Sequence, residues 1–285
     1  MSLLGLAFIN GLTLAGLLFI VTSGLTLSFG LMRVPNLNHG AFYLTGGYIG
    51  LTVLRATGNW SLAVITGGLA MGAIALLEER FLLQWIREQE LVVTLVTLSI
   101  AIIMADLNLL IWGGNPQMIE IPDVLDVPIF LFGIAYSGYR IFVAGLAVIV
   151  GILLWLFLKK TKFGITIRAG IDDSTMVAVL GVNIERVFTL VFAISGLLGG
   201  IAGVLGGSFS MVAPGQDWNM LTLALVTLII GGMGSLAGTV LGSIITGLVS
   251  SYASTYIPQL SNFFIFLPVA IILAVWKRGL LGREL

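Results

Sequence analysis

Of the chain's 285 residues, 58% are hydrophobic and only 9% charged, with a mean hydropathy of +1.12, whereas about a quarter of a soluble domain is charged, so this is a polytopic membrane protein. Thirteen basic and thirteen acidic residues cancel, which gives no basis for a nucleic-acid or other polyanionic partner. With no cysteine, disulfides and thiol nucleophiles are excluded; with one histidine, neither a His-metal cluster nor a Ser-His-Asp arrangement can be assembled around a repeated motif, and no metal site is expected.

Apolar runs follow one another at 6–29, 41–54, 61–77, 91–112, 141–158, 187–210, 219–232, 235–252 and 263–276. No basic residue precedes the first and no A-x-A-like cleavage site follows it, so it reads as a retained span. Period-two alternation is absent, and a helix satisfies its own backbone in lipid, so the fold is all-α. Several runs fall short of the ~20 residues a perpendicular span needs. The expectation is therefore eight to ten transmembrane helices, some of them half-helices, in one membrane domain covering 1–285.

Polar groups punctuate these runs. Asn36, Asn38 and His39 follow Pro35 and precede the second run, so Asn38 is placed to cap that helix and His39 to cap it, pack or contact a solute. With Thr45 one to two turns on, they are the densest polar group beside an apolar helix and the first candidate for a solute path. Asp106 and Asn108 lie late in the fourth run, as an interfacial pair or an ion site. Residues 113–140, with Glu120, Asp123, Asp126 and three prolines, read as an irregular acidic loop, solvated or docking a delivery protein.

Residues 159–186 form a hydrated loop between apolar runs. Within it Ile165, Ile167, Ile171, Met176, Val177 and Leu180 recur at helical spacing, interrupted by Arg168, Asp172 and Asp173. This predicts an amphipathic helix over 165–180, opened by Gly164 and closed by Gly181. Such a helix is either a connector at the membrane surface or a handle for a soluble partner.

Two stripes of small residues follow: Gly196, Gly199, Gly200, Gly203 and Gly207, then Gly234, Gly238, Gly242, Thr246 and Ser250. Each allows another helix to approach closely, within the chain or in a second chain. Between them Gln216, Asp217 and Asn219 begin a helix and are placed to line an entrance. No G-x-x-x-x-G-K-[S/T] occurs, so the chain has no phosphate cradle for ATP, and no enzyme is expected.

If each run crosses once and the 159–186 loop is cytoplasmic, Arg33, Arg80, Arg87, Lys159, Lys160, Lys162, Arg168, Arg186, Lys277, Arg278 and Arg283 fall inside. Only Arg55 and Arg140 fall outside. The N-terminus is then external and the C-terminus cytoplasmic.

Three stretches carry a family resemblance. Arg168-Ala169, Asp172-Asp173, Leu180-Gly181-Val182-Asn183 and Arg186-Val187 are similar to the cytoplasmic loop of the branched-chain amino-acid permeases of ABC importers. Asn36-Leu37-Asn38-His39-Gly40 resembles that family's early "NFAHG" stretch, and Gly231-Gly232-Met233-Gly234-Ser235-Leu236-Ala237-Gly238 its late "GG(L/F)GSxxG" stretch. The sequence departs in having Asn38 in place of a small residue, and Thr175-Met176-Val177 where the wider permease loop often has Glu-Ala-Ala.

The resemblance implies a permease subunit in the bacterial inner membrane, surrounded by membrane lipid. It would be paired with a second, homologous but non-identical permease, two ABC ATPase subunits and an extracytoplasmic solute-binding protein. ATP and Mg would be bound by the ATPase, with no cofactor on this chain. Lys162, Phe163, Gly164, Arg168, Ala169, Asp172, Asp173, Met176, Val177, Leu180 and Gly181 would then form the ATPase coupling site, with Met176, Val177 and Leu180 as apolar anchors. Asn38, His39, Thr45 and Asn219 would border the solute path. The alternatives are a urea or short-chain amide importer of the same family, an ion-coupled secondary transporter, and an assembly protein without transport activity.

Overall fold

The computed structural model describes residues 3–32, 36–131 and 134–282; Arg33, Pro35 and Arg283 lie outside the described residues. Among the described residues ten α-helices run in the order α1 Leu3–Met32, α2 His39–Thr57, α3 Trp60–Phe81, α4 Glu90–Trp112, α5 Gly138–Lys160, α6 Lys162–Val179, α7 Ile184–Ser210, α8 Gln216–Gly231, α9 Leu236–Tyr256 and α10 Ser261–Val275. Each of the nine apolar runs falls on one helix, and the amphipathic segment supplies the tenth, α6.

Among the described residues, seven helices are long and apolar enough to cross a membrane, and α2, α6 and α8 are not among them. Helix α8, at 16 residues, extends about 24 Å, short of the ~30 Å hydrocarbon thickness. The expected mixture of full spans and shorter helices is present.

Helix α7 is the packing centre. A Cβ on Gly200 would run into the carbonyl oxygen of Gly67 on α3, and one on Gly203 into that of Tyr43 on α2, so main chains meet where side chains elsewhere would hold them apart. The second stripe works in the same way, with Gly238 against the Gly231 carbonyl and Gly242 against the Thr227 carbonyl of α8. At these positions both stripes pack against helices of this chain, one of the two uses that the sequence leaves open. Helix α1 is buried through its middle, where Leu17, Leu18, Ile20, Val21 and Leu25 join side chains of α5, α7 and α8 in the main core.

The segment before α5 is irregular over 113–127, as expected, but ends in a hairpin. Strands β1 Pro128–Leu131 and β2 Ile134–Ser137 pair antiparallel, Ile129 opposite Tyr136, and Gln117 bridges Val212 just beyond α7. Four-residue strands with apolar side chains on both faces leave no alternation to detect. The hairpin is pinned to α1 and α5, because Asn10 Oδ1 accepts from Tyr136 Oη at 3.0 Å and from Arg140 Nη1 at 2.5 Å.

Candidate functional site

Helix α2 begins inside the bundle. Asn38 and His39 are both 0% exposed, and the His39 ring lies between the middle of α1 and the middle of α7. Its Nε2 is 2.7 Å from the Val21 carbonyl oxygen, which can only accept, so in the neutral ring Nε2 carries the proton and Nδ1 accepts from Ser195 Oγ at 3.3 Å. A Cβ on Gly24 of α1 would touch both Ser195 and the His39 ring, so three helices close around this imidazole.

Asn38 does not cap α2. It has helical backbone angles and no side-chain cap bond; its Nδ2 donates instead to both carboxylate oxygens of Glu78 on α3, at 2.9 and 3.0 Å. Asn36 takes over the turn, accepting from Asn38 N through Oδ1 at 3.0 Å. Beside Glu78, the buried Glu79 is ion-paired with Arg87, whose guanidinium carbon lies 3.9 Å from the Phe188 ring centroid at the start of α7. A chain of polar contacts thus runs from the start of α2 through the end of α3 to the first turn of α7.

Helix α8 also starts inside the bundle, against the start of α2. A Cβ on Gly40 would collide with the Asp217 carbonyl, and Asp217 itself is 4% exposed. The first turns of two helices, each with the positive end of its dipole, therefore meet where Gly40 lies against Asp217. Thr45 lies further along α2 and accepts from the buried Asn108 of α4 at 2.9 Å. Asn219 and Asp106 are exposed and stand apart from this buried group.

Helix α6 is broken. Asp173 has extended backbone angles (φ −155, ψ 100), and its Oδ1 accepts from Met176 N at 2.9 Å, so it caps a second short segment in the middle of what the sequence reads as one helix. The first segment starts with Thr161, whose hydroxyl accepts from Gly164 N at 2.9 Å; Gly164 is the third residue in and lets the Phe157 and Leu158 main chain lie against it. Ile167 is buried, Phe163 and Ile171 pack on the main core, and Ile171 reaches Gly30 at the end of α1.

Lys162, Ala169, Asp172 and Asp173 are exposed, and Arg168 is half-buried. The second segment carries exposed Met176 and Leu180, whereas Val177 is 5% exposed and faces inward, so it is not available as an anchor. Gly181, at φ +82, ends the helix.

The sequence profile of the family described as "Branched-chain amino acid transport system / permease component" matches residues 7–275. The chain belongs to this family. It is 24% identical over 293 residues to the high-affinity branched-chain amino acid transport system permease protein LivH of Escherichia coli (strain K12), covering 96% of this chain and 94% of that one. It is 26% identical over 294 residues, with the same coverage, to the corresponding permease BraD of Pseudomonas aeruginosa. A probable LivH of Methanocaldococcus jannaschii is 27% identical over 250 residues, 85% of this chain and 79% of its own. No solved structure matches the chain.

Within this permease the three resembling stretches fall at the N-terminus of α2, the α6 loop and the α8–α9 turn. The last two meet through α1, because Gly30 touches both Ile171 and Gly234. The sequence reading missed Glu78, Glu79, Arg87 and Ser195 as members of the buried group, and Val179 as an exposed apolar residue of α6. Adjacent glutamates at the end of an apolar run, with an arginine eight residues on, are the signal that was there for the first three. Ser195 is one hydroxyl among many and has no such signal.

Proposed function

We propose that this chain is the permease subunit of an ABC importer that moves branched-chain or related amino acids across the bacterial cytoplasmic membrane, driven by ATP hydrolysis in partner subunits. The observation that carries the reading is the placement of α6. One face is held to the bundle by Ile167 and Ile171, while Met176, Val179 and Leu180 stand exposed beyond the kink. Apolar side chains on a hydrated loop between membrane-length helices are costly to leave in water and suit a cleft on a soluble ATPase. The curated relatives, named for branched-chain amino acid transport, support the solute class.

In this reading the α6 end is cytoplasmic, supported by Arg80, Arg87, Lys159, Lys160, Lys162, Arg168, Arg186, Lys277 and Arg278 on the connections at that side. The N-terminus and hairpin face outward, where a solute-binding protein docks, and a second homologous permease completes the path. Closure of the ATPase pair displaces α6, which moves the ends of α1 and α7 on which it rests. Both helices meet at His39, so the α2–α8 junction feels the displacement. ATP use and solute access are coupled because the contact energies differ between the two arrangements.

Asn38, His39 and Thr45 border the path, and apolar walls receive the aliphatic side chain of the solute. The test is reconstitution with the partner subunits in liposomes. ATP-dependent uptake of labelled leucine, isoleucine or valine is expected, with no uptake when the ATPase is omitted. Uptake of urea alone, or of any solute without ATP, refutes it.

A further inference from the structure

We propose that the groove between α1, α5 and α9 holds one acyl chain of an anionic phospholipid whose headgroup sits on Lys159 and Lys160. The groove encloses about 720 Å³ and is mostly apolar; the Ser243 hydroxyl in its lining already donates to the Val240 carbonyl at 2.9 Å. Its rim is open to the side, since Val148, Ile152 and Trp155 on α5 and Val240 on α9 are all exposed, and all three helices are of membrane-crossing length. The natural occupant of such a slot is therefore hydrocarbon.

Length and charge choose which hydrocarbon. From Ala144 to Trp155 the α5 side of the groove runs about 16 Å, close to half of a ~30 Å hydrocarbon core, so it spans one leaflet. A crossing helix of a partner would need a slot through both. The small residues that would admit a helix are already engaged: Gly16 abuts Ala144 and Ala147, and Gly151 abuts the Phe19 ring. One turn beyond Trp155 stands Lys159, its ammonium 4.8 Å from the Trp155 ring centroid, with Lys160 beside it, both exposed in the last turn of α5. An aromatic ring near the end of a membrane-length helix, with one ammonium group against it and a second in the same turn, is complementary to a phosphate-bearing anionic headgroup.

The test is native mass spectrometry of the purified complex with added phosphatidylglycerol or phosphatidylcholine. The wild type is expected to keep phosphatidylglycerol in preference to phosphatidylcholine. Lys159→Gln with Lys160→Gln should weaken that retention by roughly tenfold. Val240→Trp, which narrows the rim from an exposed position, should displace both lipids. Equal retention of the two lipids by wild type, or unchanged retention in the lysine variant, overturns the proposal. Because the chain has no cysteine, Val148→Cys gives a single reporter; its efficient cross-linking to a second permease chain would assign the groove to a subunit interface and also overturn it.

Discussion

The Asn38 carboxamide bonds both carboxylate oxygens of Glu78, which ties the start of α2 to the end of α3 in a place neither helix exposes. Removing one partner leaves the other buried without its bonds, at a cost of about 1–3 kcal/mol. Asn38→Ala and Glu78→Ala should each lower the melting temperature of the purified protein, and the double variant should cost clearly less than the sum. Additive losses would show that the two side chains do not act on one another.

His39 tests the solute path separately from packing. His39→Gln keeps a side-chain N–H for Val21 and an oxygen in reach of Ser195, whereas His39→Ala removes both. If the ring borders the solute, both variants reduce uptake by roughly tenfold or more while Gln preserves melting temperature. If Gln transports normally and Ala fails only through instability, the histidine is a packing residue.

Close approach between α2 and α8 predicts a contrast between two glycines. Gly40→Ala places a methyl against the Asp217 main chain, which cannot give way without moving α8, so loss of uptake and a lowered melting temperature are expected. Gly145→Ala, in the middle of α5 with open space around it, should be neutral or stabilise by roughly 0.5–1 kcal/mol. Parallel uptake and melting measurements on the two variants decide it; equal behaviour would contradict the geometry.

The helices were legible because apolar length is a strong signal, and each of the nine runs landed on one helix. What escaped depends on contacts distant in sequence. Glu78 and Glu79 read as ordinary charges at a helix end, and only the arrival of Asn38 and Arg87 from other segments explains their burial. Asp217 and Asn219 read with Gln216 as lining one entrance, yet residues two apart lie about 200° around a helix, so Asp217 is buried and Asn219 exposed. The break at Asp173 was hidden because a capping aspartate and a polar-face aspartate look the same in sequence.

Arg87 should be intolerant of neutral replacement. Arg87→Met keeps most of the bulk over Phe188 but leaves Glu79 as a buried carboxylate without its counter-ion, which costs about 3–5 kcal/mol. Glu79→Gln in the same chain should recover much of the lost melting temperature, since a neutral amide no longer needs the guanidinium. A failure of this rescue would mean that Arg87 acts through its packing on Phe188 and not through charge.

The two ends of the short segment beyond Asp173 separate grip from fold. Leu180 is 75% and Met176 56% exposed, so replacing either by aspartate removes apolar surface from solvent-facing positions and should leave the melting temperature unchanged. Val177, one residue from Met176 but 5% exposed, packs inward, and Val177→Asp should destabilise the loop itself. Under the proposed function, Leu180→Asp abolishes co-purification of the ATPase and solute-stimulated ATP hydrolysis together, while binding-protein docking on the hairpin side persists. Val177→Asp loses the same activities only along with a lowered melting temperature or increased proteolysis within 162–182. If Leu180→Asp and Met176→Asp both retain the ATPase and transport at wild-type rates, α6 is a connector, and the drive must enter the permease elsewhere.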